Sequence, residues 1–274
     1  MDLLVLRRNL KEQFRSEGID PTDADYILGE ILGVSKTELV LTRDISNKVA
    51  KKINQIAKVR LKGVPVEKIF KKAYFYGLRF KVSDAVLSPR QDSEILVDEA
   101  IAVISQNGYK TMLDLCTGSG CLAVSVKKNC RVEVTASDIS KKAVKVAKQN
   151  ARLNGAEIKL ICSNMFEKIT GKFDVIISNP PYIETGEIAS LQREVREHDP
   201  HLALDGGTDG LDFYRIIANN LTKHLNAGGM LILEIGETQK EQVKEIFKAF
   251  EFIKCVKDYG ELDRVMIFRM KNEK

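Results

Sequence analysis

Hydrophobic and polar positions change their spacing twice along the chain. In the first 70 residues the apolar positions recur at helical spacing. Leu3, Leu4, Leu6, Leu10 and Phe14 form one stripe, closed by Gly18. Tyr26, Ile27, Ile31 and Leu32 form a second, closed by Gly33, and Val49, Ile53, Ile56 and Ala57 a third, with Gly63 past its end. Asp20 caps the second helix and Pro21 suits its first position, while Ser46 opens the third. No alternating strand pattern occurs in this stretch. Residues 74–82 then alternate (Tyr74, Tyr76, Leu78, Phe80, Val82) around Gly77, which predicts a short hairpin. A loop over 86–90 and a helix through Ile95, Leu96 and Ala100 follow.

From Thr111 onward, short apolar runs alternate with amphipathic helices. The predicted strands are 112–115, 132–137, 158–162, 175–178, 230–235, 252–256 and 265–269, with helices such as 140–154 and 238–250 between most of them. Alternation of this kind builds a mostly parallel sheet covered on both faces, here an α/β sheet of seven strands. The last connection, 257–264, is too short for a crossover helix, so the final two strands pair antiparallel. The division expected is a helical domain over 1–72, a hairpin and linker over 73–92, and an α/β domain over 93–274.

Composition adds limits. The 274 residues are 44% hydrophobic and 30% charged, the balance of a soluble globular protein. No run approaches the roughly 18 apolar residues of a membrane span, and the N-terminus lacks the order of a signal peptide. The five cysteines (116, 121, 130, 162, 255) include no Cys-x-x-Cys pair. That argues against a disulfide framework and a zinc site, and for the cytoplasm. The net charge of +5 is localised: residues 1–72 carry 15 basic and 10 acidic side chains, and 45–72 carry nine basic and one acidic, Glu67. A basic face suits an acidic partner, nucleic acid or protein, although a solvated helix surface has the same composition.

Two motifs carry chemistry. Leu113-Asp114-Leu115-Cys116-Thr117-Gly118-Ser119-Gly120 is a glycine turn between the first strand of the sheet and a helix. Such turns let backbone amides approach a ligand at a helix N-terminus. Asp138, at the end of the second strand, stands where a carboxylate accepts both ribose hydroxyls. This much fits a dinucleotide or S-adenosylmethionine equally. The second motif, Asn179-Pro180-Pro181-Tyr182, ends the strand 175–178 on the same edge of the sheet. The Asn179 side-chain oxygen and the Pro180 carbonyl can accept both hydrogens of one NH₂ group, and Tyr182 offers an aromatic wall. An amide or exocyclic amine is a poor nucleophile. Fixed acceptors stabilise the positive charge that develops on its nitrogen when it attacks a sulfonium methyl.

The turn together with Asn179-Pro180-Pro181-Tyr182 resembles the class I S-adenosylmethionine-dependent methyltransferases that act on planar NH₂ groups. Gly63-Val64-Pro65, Phe75-Tyr76-Gly77, Val86-Leu87-Ser88-Pro89-Arg90 and the block Leu204-Asp205-Gly206-Gly207-Thr208-Asp209-Gly210-Leu211 narrow this. In family order over residues 60–270, they resemble the PrmC (HemK) family. That family methylates N5 of the glutamine in the Gly-Gly-Gln motif of bacterial class 1 peptide chain release factors. The resemblance implies a Rossmann-like, seven-stranded catalytic domain behind a small all-helical domain that docks the substrate. It implies S-adenosyl-L-methionine held by Cys116, Thr117, Gly118, Ser119, Gly120, Asp138, Met165 and Asn179. Asn179, Pro180, Pro181 and Tyr182 would hold the glutamine, with Asn179, Pro180 and Tyr182 as the catalytic set. Arg90 and Glu94 match a family block near the pocket entrance and receive no catalytic role.

The implied protein is a cytoplasmic monomer whose partner is a release factor, with no metal, no membrane and no direct need for nucleic acid. The chain departs from the family pattern at four places. Cys116 replaces a glycine, tolerable only where φ is not positive. Gln91-Asp92-Ser93-Glu94 stands for Pro-Glu-Thr-Glu, Asn164 for an aspartate, and Met165 for a commonly aromatic residue. The alternatives are a DNA methyltransferase acting on adenine N6 or cytosine N4, which would have to flip its base, and a non-enzymatic RNA- or ribosome-binding module. His198, His201 and His224 suggest no metal site and Cys121 no nucleophile, and Glu234 reads as a structural carboxylate ahead of a group that hydrogen-bonds near the pocket.

Overall fold

The computed structural model of the chain describes residues 1–271. Five helices come first: α1 (Leu3–Ser16), α2 (Thr22–Leu32), α3 (Lys36–Leu41), α4 (Asn47–Arg60) and α5 (Val66–Phe70). The hairpin β1 (Lys72–Phe75) and β2 (Leu78–Lys81) leads to α6 (Glu94–Asn107). Then follow β3 (Thr111–Leu115), α7 (Cys121–Asn129), β4 (Glu133–Asp138), α8 (Lys141–Leu153), β5 (Lys159–Cys162) and β6 (Phe173–Ser178). The chain ends with α9 (Arg193–His198), α10 (Asp212–His224), β7 (Leu225–Glu234), α11 (Lys240–Ile246), β8 (Glu251–Lys257) and β9 (Asp263–Arg269). Two compact units result: Met1–Lys71 with Arg193–His198, and Lys72–Gln192 with Asp199–Lys274.

In the helical unit, α1 buries Leu3, Leu6, Leu10 and Phe14 against Ala24, Ile27 and Leu28 of α2 and Ala50, Ile53 and Ala57 of α4. Leu4, expected on that stripe, lies outside it and is exposed. The Asp20 carboxylate accepts the Thr22 N–H at 2.8 Å just ahead of α2, whose cap position is Pro21 and has no side-chain bond of its own. Three helices of this unit, α3, α5 and α9, escaped the sequence reading because five or six residues are too short to show a period. The first was legible by its cap: Ser35 and Glu38 satisfy each other's backbone N–H groups as a capping box. Arg60, counted in the basic face, is 4% exposed and bonds Asp23 (2.6 Å) and Glu194 of α9 (2.7 Å), and Lys68 is also buried.

The larger unit contains the hairpin and a seven-stranded sheet in the order β5-β4-β3-β6-β7-β9-β8. Strands β3 to β7 are parallel, and β9 runs antiparallel between β7 and β8. Period-2 alternation divides the core between two faces: Met112, Val175, Ile177 and Ile232 pack with α6 and α7, and Leu113, Leu115, Ile176, Leu231 and Leu233 with α10 and α11. The hairpin turns at Tyr76 (φ 50°) and Gly77 (φ 69°), the two positive values of a type I′ turn. After β5 the chain crosses back to place β6 beside β3. In open α/β sheets such a reversal opens a crevice at the carboxyl ends of the strands.

Candidate active site

One wall of that crevice is the turn after β3. Cys116 (φ 59°), Gly118 (φ 54°) and Gly120 (φ 79°) all take left-handed conformations. The condition under which Cys116 was to be tolerated is therefore not met: this side chain occupies a conformation that costs about 1–2 kcal/mol outside glycine. Its Sγ lies 3.7 Å from Sδ of Met165, itself at φ 43°. Two strained side chains thus face each other, a pattern that clusters at functional sites. The Thr117 N–H donates to the Ser137 carbonyl (2.9 Å), tying the turn to β4. Gly118 N–H and Ser140 N–H donate to the two oxygens of Asp138 at 2.9 and 2.8 Å. Each carboxylate oxygen keeps acceptor capacity, so Asp138 is aimed and still open to two hydroxyls. Beneath the turn, burial pushes the Asp114 carboxyl up to about 7, against a 2.6 Å bond from the Thr117 hydroxyl.

Gly120 serves the turn rather than the cleft. It caps α7, and a Cβ there would lie 3.0 Å from Cβ of Ala147, so its absence lets α7 and α8 approach. Asn150, a fully buried residue of α8, braces the same turn. Its Nδ2 donates to the carbonyls of Ser119 (2.8 Å) and Lys81 (2.9 Å), and its Oδ1 accepts the Lys81 N–H (2.7 Å).

The opposite wall begins where β6 ends. The Ser178 hydroxyl donates to the Leu115 carbonyl (2.9 Å), locking β6 to β3, and Asn179 follows at the strand tip. The block 204–211 supports Asn179-Pro180-Pro181-Tyr182 from behind. The Gly206 N–H donates to the Ile183 carbonyl (2.8 Å) and the Ile183 N–H to the Leu204 carbonyl (3.0 Å), and a Cβ on Gly206 would meet Tyr182 Cα at 2.8 Å and the Pro181 carbonyl at 2.9 Å. Gln239 Nε2 donates to the Tyr182 carbonyl (2.9 Å). Tyr182 is partly buried and packs against the core on the α10 and α11 face, and burial raises its phenol above the usual range.

The cleft between these walls has a volume of about 340 Å³. Of the residues singled out from sequence, Cys116, Thr117, Gly118, Ser119, Asp138, Met165, Asn179 and Pro181 line it. Gly120, Pro180 and Tyr182 are not in the lining, so the aromatic wall expected of Tyr182 is not what that ring forms here. Arg90 does line it, with Nη2 held at 2.7 Å by the buried Asp199. The cleft suits S-adenosylmethionine on its own chemistry. Asp138 retains acceptor capacity for a vicinal diol, Ile139 and Met165 offer apolar surface to a base, and the buried Ser88 Oγ in the lining has no partner of its own. Cys121 also lines the cleft, but burial raises its thiol to about 12, so it stays protonated.

Two further residues meet here that sequence reasoning left without a site role. Ser93, just before α6, donates its hydroxyl to Glu234 Oε2 at 2.5 Å and accepts from Asn179 Nδ2 at 3.2 Å. Both Ser93 and Glu234 are 3% exposed, and burial pushes the Glu234 carboxyl up to about 7 against the Ser93 bond. The two positions are 141 residues apart, so no local spacing announces them. Among the described residues no cluster of three metal-binding side chains occurs, and no helix is long and apolar enough to cross a membrane.

Comparison with known proteins agrees with this geometry. A family model described as the methyltransferase small domain matches residues 91–209, and the PrmC N-terminal domain model matches 6–70. Release factor glutamine methyltransferase of Agrobacterium fabrum is 40% identical over 285 residues, spanning 98% of this chain and 96% of that protein. The protein of the same name from Thermodesulfovibrio yellowstonii is 39% identical over 256 residues, 90% of this chain and 91% of that one. A methyltransferase structure from Pyrococcus furiosus matches with a TM-score of 0.54 over 80% of this chain and 98% of that chain, at 20% identity, a likeness of fold. The chain belongs to the release factor glutamine methyltransferase family.

Proposed function

We propose that this protein transfers a methyl group from S-adenosylmethionine to N5 of the glutamine in the Gly-Gly-Gln motif of class 1 release factors, in the cytoplasm. The observation that carries the reading is that Asn179 lines the same cleft as Asp138 and the turn 116–119. Bound there, S-adenosylmethionine supplies an electrophilic methyl group on a sulfonium sulfur. Asp138 holds the ribose hydroxyls, and Cys116 to Ser119 with Met165 line the rest of the cofactor's place. The Asn179 side-chain oxygen and the Pro180 carbonyl accept the two hydrogens of the glutamine NH₂ and point its nitrogen at the methyl group. As the N–C bond forms and the S–C bond breaks, positive charge arrives on nitrogen, where these acceptors stabilise it until the proton leaves to solvent. No general base is required. Pro181 shapes the floor, and Tyr182 contributes its backbone, held by Gln239, rather than a ring face.

A release factor as partner is supported by the exposed lysines of α4. Lys48, Lys51, Lys52 and Lys58 stand free of the buried pairs that occupy Arg60. Reversing Lys51, Lys52 and Lys58 should raise KM at low salt, where exposed charges act furthest. Five free cysteines accord with a reducing compartment. The test is mass spectrometry after incubation with S-adenosylmethionine and unmethylated release factor, with unmethylated DNA in parallel. One added methyl group on the Gly-Gly-Gln glutamine, absent with Asn179→Ala, is the expected result. Methyl transfer to DNA alone would hand the site to an exocyclic amine, and bound cofactor with neither product methylated would mean a different acceptor.

A further inference from the structure

The Asn179 amide can act as an acceptor only if its oxygen, not its NH₂, faces the substrate, and nothing in an asparagine's shape enforces that choice. Ser93 and Glu234 do. A hydroxyl carries one hydrogen. In Ser93 that hydrogen is directed to Glu234 Oε2 at 2.5 Å, so toward Asn179 the same oxygen can only accept. Asn179 Nδ2 answers at 3.2 Å, which turns Oδ1 to the opposite side. We propose that Ser93 and Glu234 are positioning residues for methyl transfer, the carboxylate orienting the hydroxyl and the hydroxyl fixing the Asn179 amide with its oxygen toward the substrate nitrogen. The inference rests on the acceptor role given to Asn179 above.

The cost of burying a carboxylate supports the assignment. Glu234 ends β7 in the interior, where an ion is expensive unless paired. The charged groups that face it are few. Arg264 of β9 and the Ser93 and Asn179 bonds favour its ionised form, and Asp92 beside Ser93 opposes it. The neutral Tyr182, Tyr214 and Cys121 complete its surroundings, and the Tyr214 hydroxyl donates to the Glu234 backbone carbonyl at 3.0 Å. Protonating Glu234 would free the Ser93 hydrogen to rotate toward Asn179. The amide could then flip and present NH₂ to the substrate's own NH₂. Activity should therefore rise with pH as Glu234 ionises.

The test compares Ser93→Ala, Ser93→Thr, Glu234→Gln and Asn179→Ala in methyl transfer to unmethylated release factor. Cofactor Kd is measured by calorimetry and kcat across pH 5.5–9. Ser93→Ala is expected to lower kcat by about 10- to 100-fold, less than loss of a directly contacting group. Its cofactor Kd should stay within about threefold, and Ser93→Thr, which keeps the hydroxyl, should restore most of kcat. Wild-type kcat should rise with pH and that rise should flatten in Glu234→Gln; if it persists, the nearby Asp114 or another group titrates and the Glu234 half of the proposal falls. Should Glu234→Gln fail to fold, the Ser93 pair decides. Ser93→Ala at wild-type kcat while Asn179→Ala is inactive overturns the relay alone, and full activity in Asn179→Ala overturns the acceptor reading beneath it. Loss of kcat and cofactor affinity together in Ser93→Ala, without rescue by threonine, would reduce Ser93 to a structural residue.

Discussion

Replacing Asn150 by leucine removes three hydrogen bonds at one fully buried point, the junction of the hairpin, α8 and the turn that carries Gly118. The bonds measure 2.7, 2.8 and 2.9 Å, and all three end on backbone groups of Lys81 and Ser119. At about 1 kcal/mol net each, their loss costs about 3 kcal/mol, because leucine nearly conserves volume and leaves little cavity term. That is a large part of the ~5–15 kcal/mol by which domains are stable. Aspartate in place of Asn150 should be worse than leucine. It turns two donor contacts into a carboxylate facing the Ser119 and Lys81 carbonyls, with a buried charge besides. The chain has no Trp, so unfolding in urea is followed by far-UV circular dichroism. Amide exchange by mass spectrometry on peptides from β3 and β6 reports the α/β unit alone, and 3 kcal/mol accelerates exchange there by about 100-fold. Cofactor affinity should fall as well, since the Ser119 carbonyl loses its anchor. The reasoning is refuted if Asn150→Leu lies within 1 kcal/mol of wild type, or if aspartate is the milder change. Either would mean that the side chain fills space and does not brace the turn.

Other outcomes follow from the same coordinates. Gly120→Ala should cost about 1–2 kcal/mol for its φ of 79°, plus the 3.0 Å approach to Ala147. Gly118→Ala, whose Cβ would meet nothing closer than 4.0 Å, should be milder in urea denaturation, and equal costs would refute the packing argument. Asp138→Ala should weaken cofactor binding at least tenfold by calorimetry, since it removes the carboxylate and the partner of two backbone N–H groups. Arg60→Leu strands Asp23 and Glu194 and should destabilise the helical unit by about 3 kcal/mol at pH 8, the low end for a broken buried pair because both carboxylates keep some water. Desolvation already raises the Asp23 carboxyl above its unfolded value, and losing Arg60 raises it further. A raised acid stabilises the fold below its unfolded pKa and loses that contribution as pH rises through the folded one. The Arg60→Leu deficit should therefore shrink toward pH 4, and a deficit independent of pH would exclude the ion-pair account.

Most elements were legible before any coordinates. The helical stripes, the hairpin at Tyr76-Gly77, the seven strands and the antiparallel final pair all follow from periods of 3.6 and 2 and from turn residues, which are local properties. The site was legible as chemistry: Asn179, Asp138 and the turn 116–119 are recognisable because their motifs are contiguous or closely spaced. The errors share a cause. Tyr182 looked like an aromatic wall and is instead partly buried against the core, outside the cleft lining, because a side chain's direction at a strand end depends on what stands behind it, here Gly206, Gly210 and Gln239. Arg60 and Lys68 looked like surface charge, since composition does not distinguish a solvated lysine stripe from a buried ion pair.

What the chain's own order determined, then, is the kind of fold, the identity of the cleft and the reacting groups, all set by neighbours within a few residues. Tertiary structure decided the rest. It placed Cys116 at a positive φ, grouped Arg193–His198 with the helical unit, and brought Ser93, Asn179 and Glu234 into one chain of hydrogen bonds. That chain exists because β6 lies between β3 and β7 and α6 packs against the same sheet, so groups from three distant stretches meet at one end of it. A hydrogen bond needs its partners within about 3 Å and suitably aligned. Only the packed sheet supplies that precision between residues 141 positions apart.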